Sequence, residues 1–279
     1  MQTFQTLNLN GKLLDLSIPK VMGILNVTPD SFFSGSRVES ERVILEQVEK
    51  MLSEGAAILD VGGYSTRPDA SDIPVEEEIS RIRPAIKAIK RAFPTAIVSI
   101  DTFRSEVARV AVSEGATIIN DVSGGNLDEK MFQTVADLGV LYILMHMRGT
   151  PQTMKTLNQY EDLIGDIVDE LQKKIYKLNV LGVTDIIIDP GFGFAKNIPQ
   201  NFKLLRHMQS LSILERPILA GVSRKSMIYK TLDTDPTQAL NGTTALNMVA
   251  LQNGAKILRV HDVKEAVETV TLFGQLTKV

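Results

Sequence analysis

The sequence predicts a (β/α)8 barrel, and three observations predict it. A helical stretch repeatedly ends at a glycine, followed by a short apolar run that stops at a polar residue. Such runs alternate with stretches of helical periodicity until eight strands are counted. The chain is 279 residues long and carries no linker or low-complexity tract, which suits one large barrel. An open doubly wound sheet uses the same units and is the alternative fold.

The elements follow in order. Thr6–Leu16 holds Asn10-Gly11, a two-residue turn signal, and predicts a small hairpin capping the bottom of the barrel. The first strand is Val21–Leu25. The glycine-led runs are GAAILD from Gly55, GATIIND from Gly115, GVLYILMH from Gly139, GVTDIIID from Gly182 and GAKILRV from Gly254. They are rich in Ile, Leu and Val without alternating polarity, as buried parallel strands are. Ala96–Ile100 and Pro217–Val222 supply two more. Helical stripes include Val43, Ile44, Val48, Met51 and Leu52, and then Leu163, Ile167, Leu171, Ile175 and Leu178. Further helices are expected near Glu76–Phe93, Ser105–Glu114, Asp128–Leu138, Asn201–Leu211, Pro236–Gln252 and Lys264–Leu276. Pro84 predicts a kink or a late start in the first of these. The expected organisation is one domain over 1–279, with the hairpin at 3–18 and the barrel at 20–276.

Composition narrows the functional classes. Hydrophobic residues make up 44 % and charged residues 23 %, an ordinary globular balance. The absence of cysteine excludes disulfides, thiolate metal sites and cysteine nucleophiles. Net charge is −3 with no basic tract, so nothing points to nucleic acid. No apolar stretch approaches the roughly 20 residues of a membrane span, and the N-terminus does not read as a signal peptide. A soluble cytoplasmic protein is expected.

In a (β/α)8 barrel the C-terminal strand ends share one pocket. Here they carry Asn26, Asp60, Asp101, Asn120-Asp121, His146, Asp189, Ser223-Arg224-Lys225, Arg259 and His261. Asp101, Asn120 and Asp189 offer acceptors and an amide to a flat heterocycle with amino and lactam edges. Arg67, Arg224, Lys225, Arg259 and His261 offer positive charge to a phosphorylated group. The residue types therefore indicate an enzyme acting on a phosphate-bearing heterocycle.

Several residues have plainer readings. His146 suits a buried structural role as well as chemistry, and Asp60 is open between the two. His207 reads as a surface or packing residue of a helix, Arg148 as a solvated loop residue, EEEISRIR (residues 76–83) as a solvated helix face, and one of Met145 and Met147 as core.

The motifs carry a resemblance. MGILNVTPDSF from Met22 and DVGGYSTRP from Asp60 resemble two signatures of the dihydropteroate synthases, a pterin-binding (β/α)8 family. SIDTF, INDVSGG, LMHMRGTPQTM, IIDPGFGFAKN, GVSRKS and LRVHDV follow in the family's order, so the match runs from about Met22 to Val267. The resemblance implies that a dihydropterin diphosphate loses pyrophosphate to p-aminobenzoate, with Mg2+ as cofactor and a homodimer as the assembly. It implies Asp101, Asn120, Met145, Asp189, Phe194 and Lys225 around the pterin, with Asp101 and Lys225 in catalytic roles. Asn26, Thr66, Arg67, Ser223, Arg259 and His261 would hold the diphosphate, and Asn26 the magnesium. Phe32, Pro68, Lys225 and Ser226 would line the arylamine site. DSFFSGS departs from the family's usual DSFSDGG and leaves open whether Phe32 or Phe33 is the loop aromatic. A pterin-dependent methyltransferase domain would share the barrel but lack a reason for the diphosphate set. A non-enzymatic pterin binder would have no need of the intact charged strand ends.

Overall fold

Eight parallel strands close on themselves in the computed structural model, which describes residues 6–9, 11–27, 37–65, 72–150 and 153–277. A hairpin of β1 (Thr6–Leu9) and β2 (Lys12–Asp15) precedes them. The barrel strands are β3 (Lys20–Asn26), β4 (Ile58–Gly62), β5 (Ile97–Asp101), β6 (Ile118–Asp121), β7 (Leu141–Met145), β8 (Ile186–Asp189), β9 (Ile218–Ala220) and β10 (Ala255–Val260). Neighbours in sequence pair in parallel, and β10 closes the ring onto β3 through Leu258 opposite Val21. The closed ring decides against the open sheet.

Helices separate the strands, starting with α1 (Arg37–Ser53), α2 (Val75–Ala92), α3 (Ser105–Ser113) and α4 (Met131–Leu138). They continue with α5 (Leu163–Val180), α6 (Ile198–Arg206), α7 (Ser226–Tyr229), α8 (Leu240–Gln252) and α9 (Val263–Leu276). Three of the expected helices are shorter than the sequence suggests, among them α4, which starts at Met131 rather than Asp128. The stretch after Arg206 tightens into a 3-10 turn, Met208–Leu214, and Pro236–Gln238 is a separate 3-10 turn before α8. Pro84 lies inside α2 and does not end it. It and Ser80, whose carbonyl loses its donor, both lie on the solvent side, where water can replace the missing N–H.

Strand alternation builds two concentric layers. Val21, Leu59, Val61, Val98, Ile119, Leu144, Ile188 and Leu258 point outward and pack with the helices in one large core. Met22, Ile58, Ile118, Leu141, Ile143, Ile187, Leu219 and Ile257 point inward and fill the lower barrel. Leu7, Leu9, Leu14 and Leu16 join this inner cluster, so the hairpin plugs the bottom as expected. Asp185, at the foot of β8, accepts a hydrogen bond from the Asn8 backbone N–H at 2.8 Å. Among the described residues, no helix is long and apolar enough to cross a membrane.

Candidate active site

Two residues further along most of these strands, on the same inward face, the lining changes character. Above Ile58 stands Asp60, above Ile118 Asn120, above Ile143 Met145, above Ile187 Asp189, above Leu219 Gly221, and above Ile257 Arg259. On β5 the same face carries Ile97, Ser99 and Asp101 in turn. One pocket is lined by Asp101, Asn120, Val122, Met145, Asp189, Phe194, Gly221, Lys225 and Arg259. All six residues expected around a heterocycle therefore meet in one place.

Ion pairs organise its floor. Arg259 donates from Nε to Asp60 Oδ2 and from Nη2 to Asp101 Oδ2, each at 2.6 Å. Asp60 is fully buried and also accepts from Asn120 Nδ2 at 2.9 Å, so it orients both the arginine and the amide. Asp60 thus lies beneath the pocket, holding two of its lining residues without lining it. Its Oδ1 and the Ser99 hydroxyl have no partner among the described residues, although the two positions are register neighbours on β4 and β5. Burial pushes the Asp101 carboxyl up to about 7; the Arg259 guanidinium opposes this and the Asp60 charge adds to it.

The opposite wall belongs to β8 and the loop after it. Asp189 accepts from the Gly191 N–H at 2.7 Å, and burial raises its carboxyl above the usual range while Lys225 pulls it back. Lys225 donates to the Phe192 carbonyl and holds its ammonium 4.7 Å from the centre of the Phe194 ring. Burial lowers Lys225 to about 8, with Asp189 resisting. Gly191 has φ 70°, and a side chain there would run into the His146 carbonyl, so glycine is required. Met145, Met147, Val122, Met154 and Ala195 form a small buried apolar cluster, with Phe194 packed against it. Both methionines are thus buried, where the sequence suggested one.

The cationic set is more dispersed. Ser223 Oγ and His261 Nδ1 lie 3.0 Å apart, and the Ser223 hydroxyl also accepts from the His261 backbone N–H at 3.2 Å. Asn26, exposed at the end of β3, and Asp101 approach Gly62 from two sides, with oxygens each 3.7 Å from where a Cβ would sit. Arg224 does not join this set: it is paired in bidentate fashion with Asp262, because its backbone turns to φ 54° and sends the side chain to the β10–α9 loop. Ser226 opens α7 beside Lys225. Phe32, Phe33, Thr66, Arg67 and Pro68 lie outside the described residues.

Other readings need correction. Arg148 is not a solvated loop residue: it bonds Glu170 at 2.8 Å and the Gln159 carbonyl at 2.6 Å and lies 4.1 Å from the Tyr160 ring centre. The run at residues 76–83 is not wholly solvated either. Glu78 is fully buried and accepts from Thr102 at 2.7 Å and Arg104 at 2.9 Å. Arg104 also donates to the Ile73 carbonyl at 2.7 Å, tying the β4–α2 loop to the β5–α3 loop. His146 is buried with its ring between Lys196 and Glu170 and does not line the pocket, and His207 is exposed. Gly221 and Val122 were missed. For Gly221 the signal was its spacing of two from Leu219, which puts it on the inward face.

Comparison with known proteins agrees with this geometry. The family model described as pterin binding enzyme matches residues 22–261. The dihydropteroate synthase of Escherichia coli K12 is 41 % identical over 93 % of this chain and 92 % of its own length. The folic acid synthesis protein of Pneumocystis carinii is 46 % identical over 88 % of this chain, which spans only 34 % of that longer protein. A Xanthomonas albilineans dihydropteroate synthase solved with 4-aminobenzoic acid superposes with a TM-score of 0.90 at 38 % identity, covering 99 % of both chains.

Proposed function

We infer the chemistry of this pocket from one premise: the chain belongs to the pterin-binding enzymes, as a dihydropteroate synthase. It condenses 6-hydroxymethyl-7,8-dihydropterin diphosphate with p-aminobenzoate, giving 7,8-dihydropteroate and pyrophosphate in folate biosynthesis. The observation that carries the site reading is the convergence of Asp101, Asn120, Asp189, Lys225 and Arg259 on one inward-facing layer.

In this reading the pterin ring lies across that layer. Asp189 accepts from the 2-amino group and adjacent ring N–H, and Lys225 donates to the carbonyl side. Asn120, with its amide held by Asp60, reads the ring's remaining edge. Met145 and Phe194 pack against the ring. Leaving such buried polar groups without partners costs several kcal/mol, so rings lacking the matching edge are rejected.

The diphosphate leaves toward Ser223, His261, Asn26 and the upper side of Arg259, with Thr66 and Arg67 assisting from the β4–α2 loop. Among the described residues no cluster of three or more His, Asp or Glu could cage a metal. A single amide oxygen at Asn26 fits a hard cation that arrives mainly on substrate phosphates. Asn26 would hold Mg2+ there, and the ion would supply charge neutralisation to the departing pyrophosphate. Asp101 stabilises positive charge developing on the pterin methylene through the ring. The arylamine lone pair is free at neutral pH and needs no strong base, so no residue acts as a nucleophile. Phe32, Pro68 and Ser226 border the arylamine with Lys225. The working form is a cytoplasmic homodimer joined through outer helices.

Purified protein mixed with pterin diphosphate, p-aminobenzoate and Mg2+ should release pyrophosphate in step with dihydropteroate. Pterin binding without turnover would contradict the reading.

A further inference from the structure

Lys196 is 9 % exposed, yet it stands outside the pocket. Its ammonium has three acceptors for its three hydrogens: the Gly191 carbonyl at 3.0 Å, the Phe194 carbonyl at 3.0 Å and His146 Nδ1 at 3.1 Å. The third contact fixes the histidine tautomer, with Nδ1 accepting and the Nε2 hydrogen facing Glu170 Oε2 at 3.0 Å. Burial holds the imidazole down to about 4, so it is a neutral acceptor at neutral pH.

The two carbonyls bracket the loop that builds one wall of the pocket. Gly191, whose carbonyl Lys196 holds, donates its N–H to Asp189. Phe192, next in line, accepts from Lys225. Gly193 donates to Asn201 Oδ1 at 2.7 Å, and Phe194, held by its carbonyl, presents its ring to Lys225. Ala195 then takes φ 49°, a left-handed conformation that a non-glycine residue adopts only under constraint. Its own carbonyl accepts from the Tyr160 hydroxyl at 3.0 Å.

We propose that Lys196 is the positioning residue of the pterin cradle: by clamping the Gly191–Phe194 loop it sets where Asp189 and Lys225 stand. This rests on the site reading above. A buried lysine with this many backbone partners is costly to retain for stability alone, since an apolar side chain avoids the desolvation of its charge. Its partners on the loop, Gly191 and Phe194, are the residues whose N–H and ring meet Asp189 and Lys225.

The test is calorimetric titration of wild type, Lys196→Met and Asp189→Ala with 6-hydroxymethylpterin and, separately, with inorganic pyrophosphate and Mg2+. Lys196→Met should weaken pterin binding about 10- to 100-fold, the usual effect of a small misplacement. Its affinity for pyrophosphate should stay within about threefold of wild type, well inside that misplacement effect. Unchanged pterin affinity, or equal loss for both ligands, would overturn the proposal. If Asp189→Ala also left pterin binding intact, the site reading itself would be at fault. Should Lys196→Met not fold, Lys196→Arg replaces it: a planar fork cannot meet three pyramidal acceptors, so pterin affinity should still fall and pyrophosphate affinity hold. Wild-type pterin affinity in that variant would equally refute the clamp.

Discussion

The lower and upper halves of the barrel interior are made by the same strands, on the same face, one strand repeat apart. Ile187 and Asp189 on β8, or Ile257 and Arg259 on β10, differ by two positions in sequence and by everything in chemistry. The lower layer, sealed by the hairpin leucines, is close-packed hydrocarbon whose contribution is to stability. The upper layer buries Asp60 and Asp189 and half-buries Asp101, Lys225 and Arg259, which weakens the fold and makes a binding surface. Stability and recognition are thus separated along the strand axis, and substitutions should divide accordingly.

The sharpest break should come at Asp189 and Lys225. Alanine at either should raise the pterin dissociation constant at least about 100-fold, as loss of charged hydrogen bonds does. Calorimetry would check this, and retained affinity within a few-fold would refute their placement. Arg259→Ala should breach the division. It strips Asp60 and Asp101 of their shared guanidinium, so denaturant unfolding should report a loss of about 3–5 kcal/mol. In the same variant the diphosphate substrate should weaken more than free pterin. Ile187→Ala tests the other half, with about 2–5 kcal/mol lost from stability.

A smaller effect concerns pH. In the folded chain Asp101 titrates near 7, against an ordinary value of 3.8. Between these values the folded form holds more protons at Asp101 than the unfolded one. This group's contribution to stability therefore falls as pH rises from about 4 to 7, while His146, held down to about 4, works in the opposite sense. Asp101→Asn should flatten part of that fall in melting temperature measured across the range, and Asp189 and Asp121, raised in the same direction, should sustain the rest. Asp185→Ala, which frees the hairpin from the foot of β8, should cost only about 0.5–1.5 kcal/mol and leave pterin affinity alone.

The barrel was legible because its signals are local. Glycines closing helices and apolar runs of strand length mark the units, and Asn10-Gly11 marks the hairpin. Asp101, Asn120, Asp189 and Lys225 were legible for a related reason: strand ends converge in this fold, whereas Met145 and Phe194 were expected at the pocket only from the family resemblance. What stayed hidden depends on partners distant in sequence. Arg224 and Arg259 look alike as strand-end cations, yet one meets Asp262 and the other Asp60 and Asp101. Glu78 sits in a run that looks solvated, and only Thr102 and Arg104 from the next loop bury it. Lys196 lies seven residues past Asp189 in a loop, with no periodicity to say that it turns inward. Helix breaks at Arg206 and Gln238 were missed because 3-10 turns keep much the same apolar spacing.

The most direct test of the two-layer account is a paired titration of Asp189→Ala and Ile187→Ala with pterin, alongside their denaturant midpoints. The account predicts opposite results: Asp189→Ala loses pterin and keeps its midpoint, whereas Ile187→Ala loses its midpoint and binds pterin within a few-fold of wild type. Parallel losses of affinity and stability in both variants would contradict it.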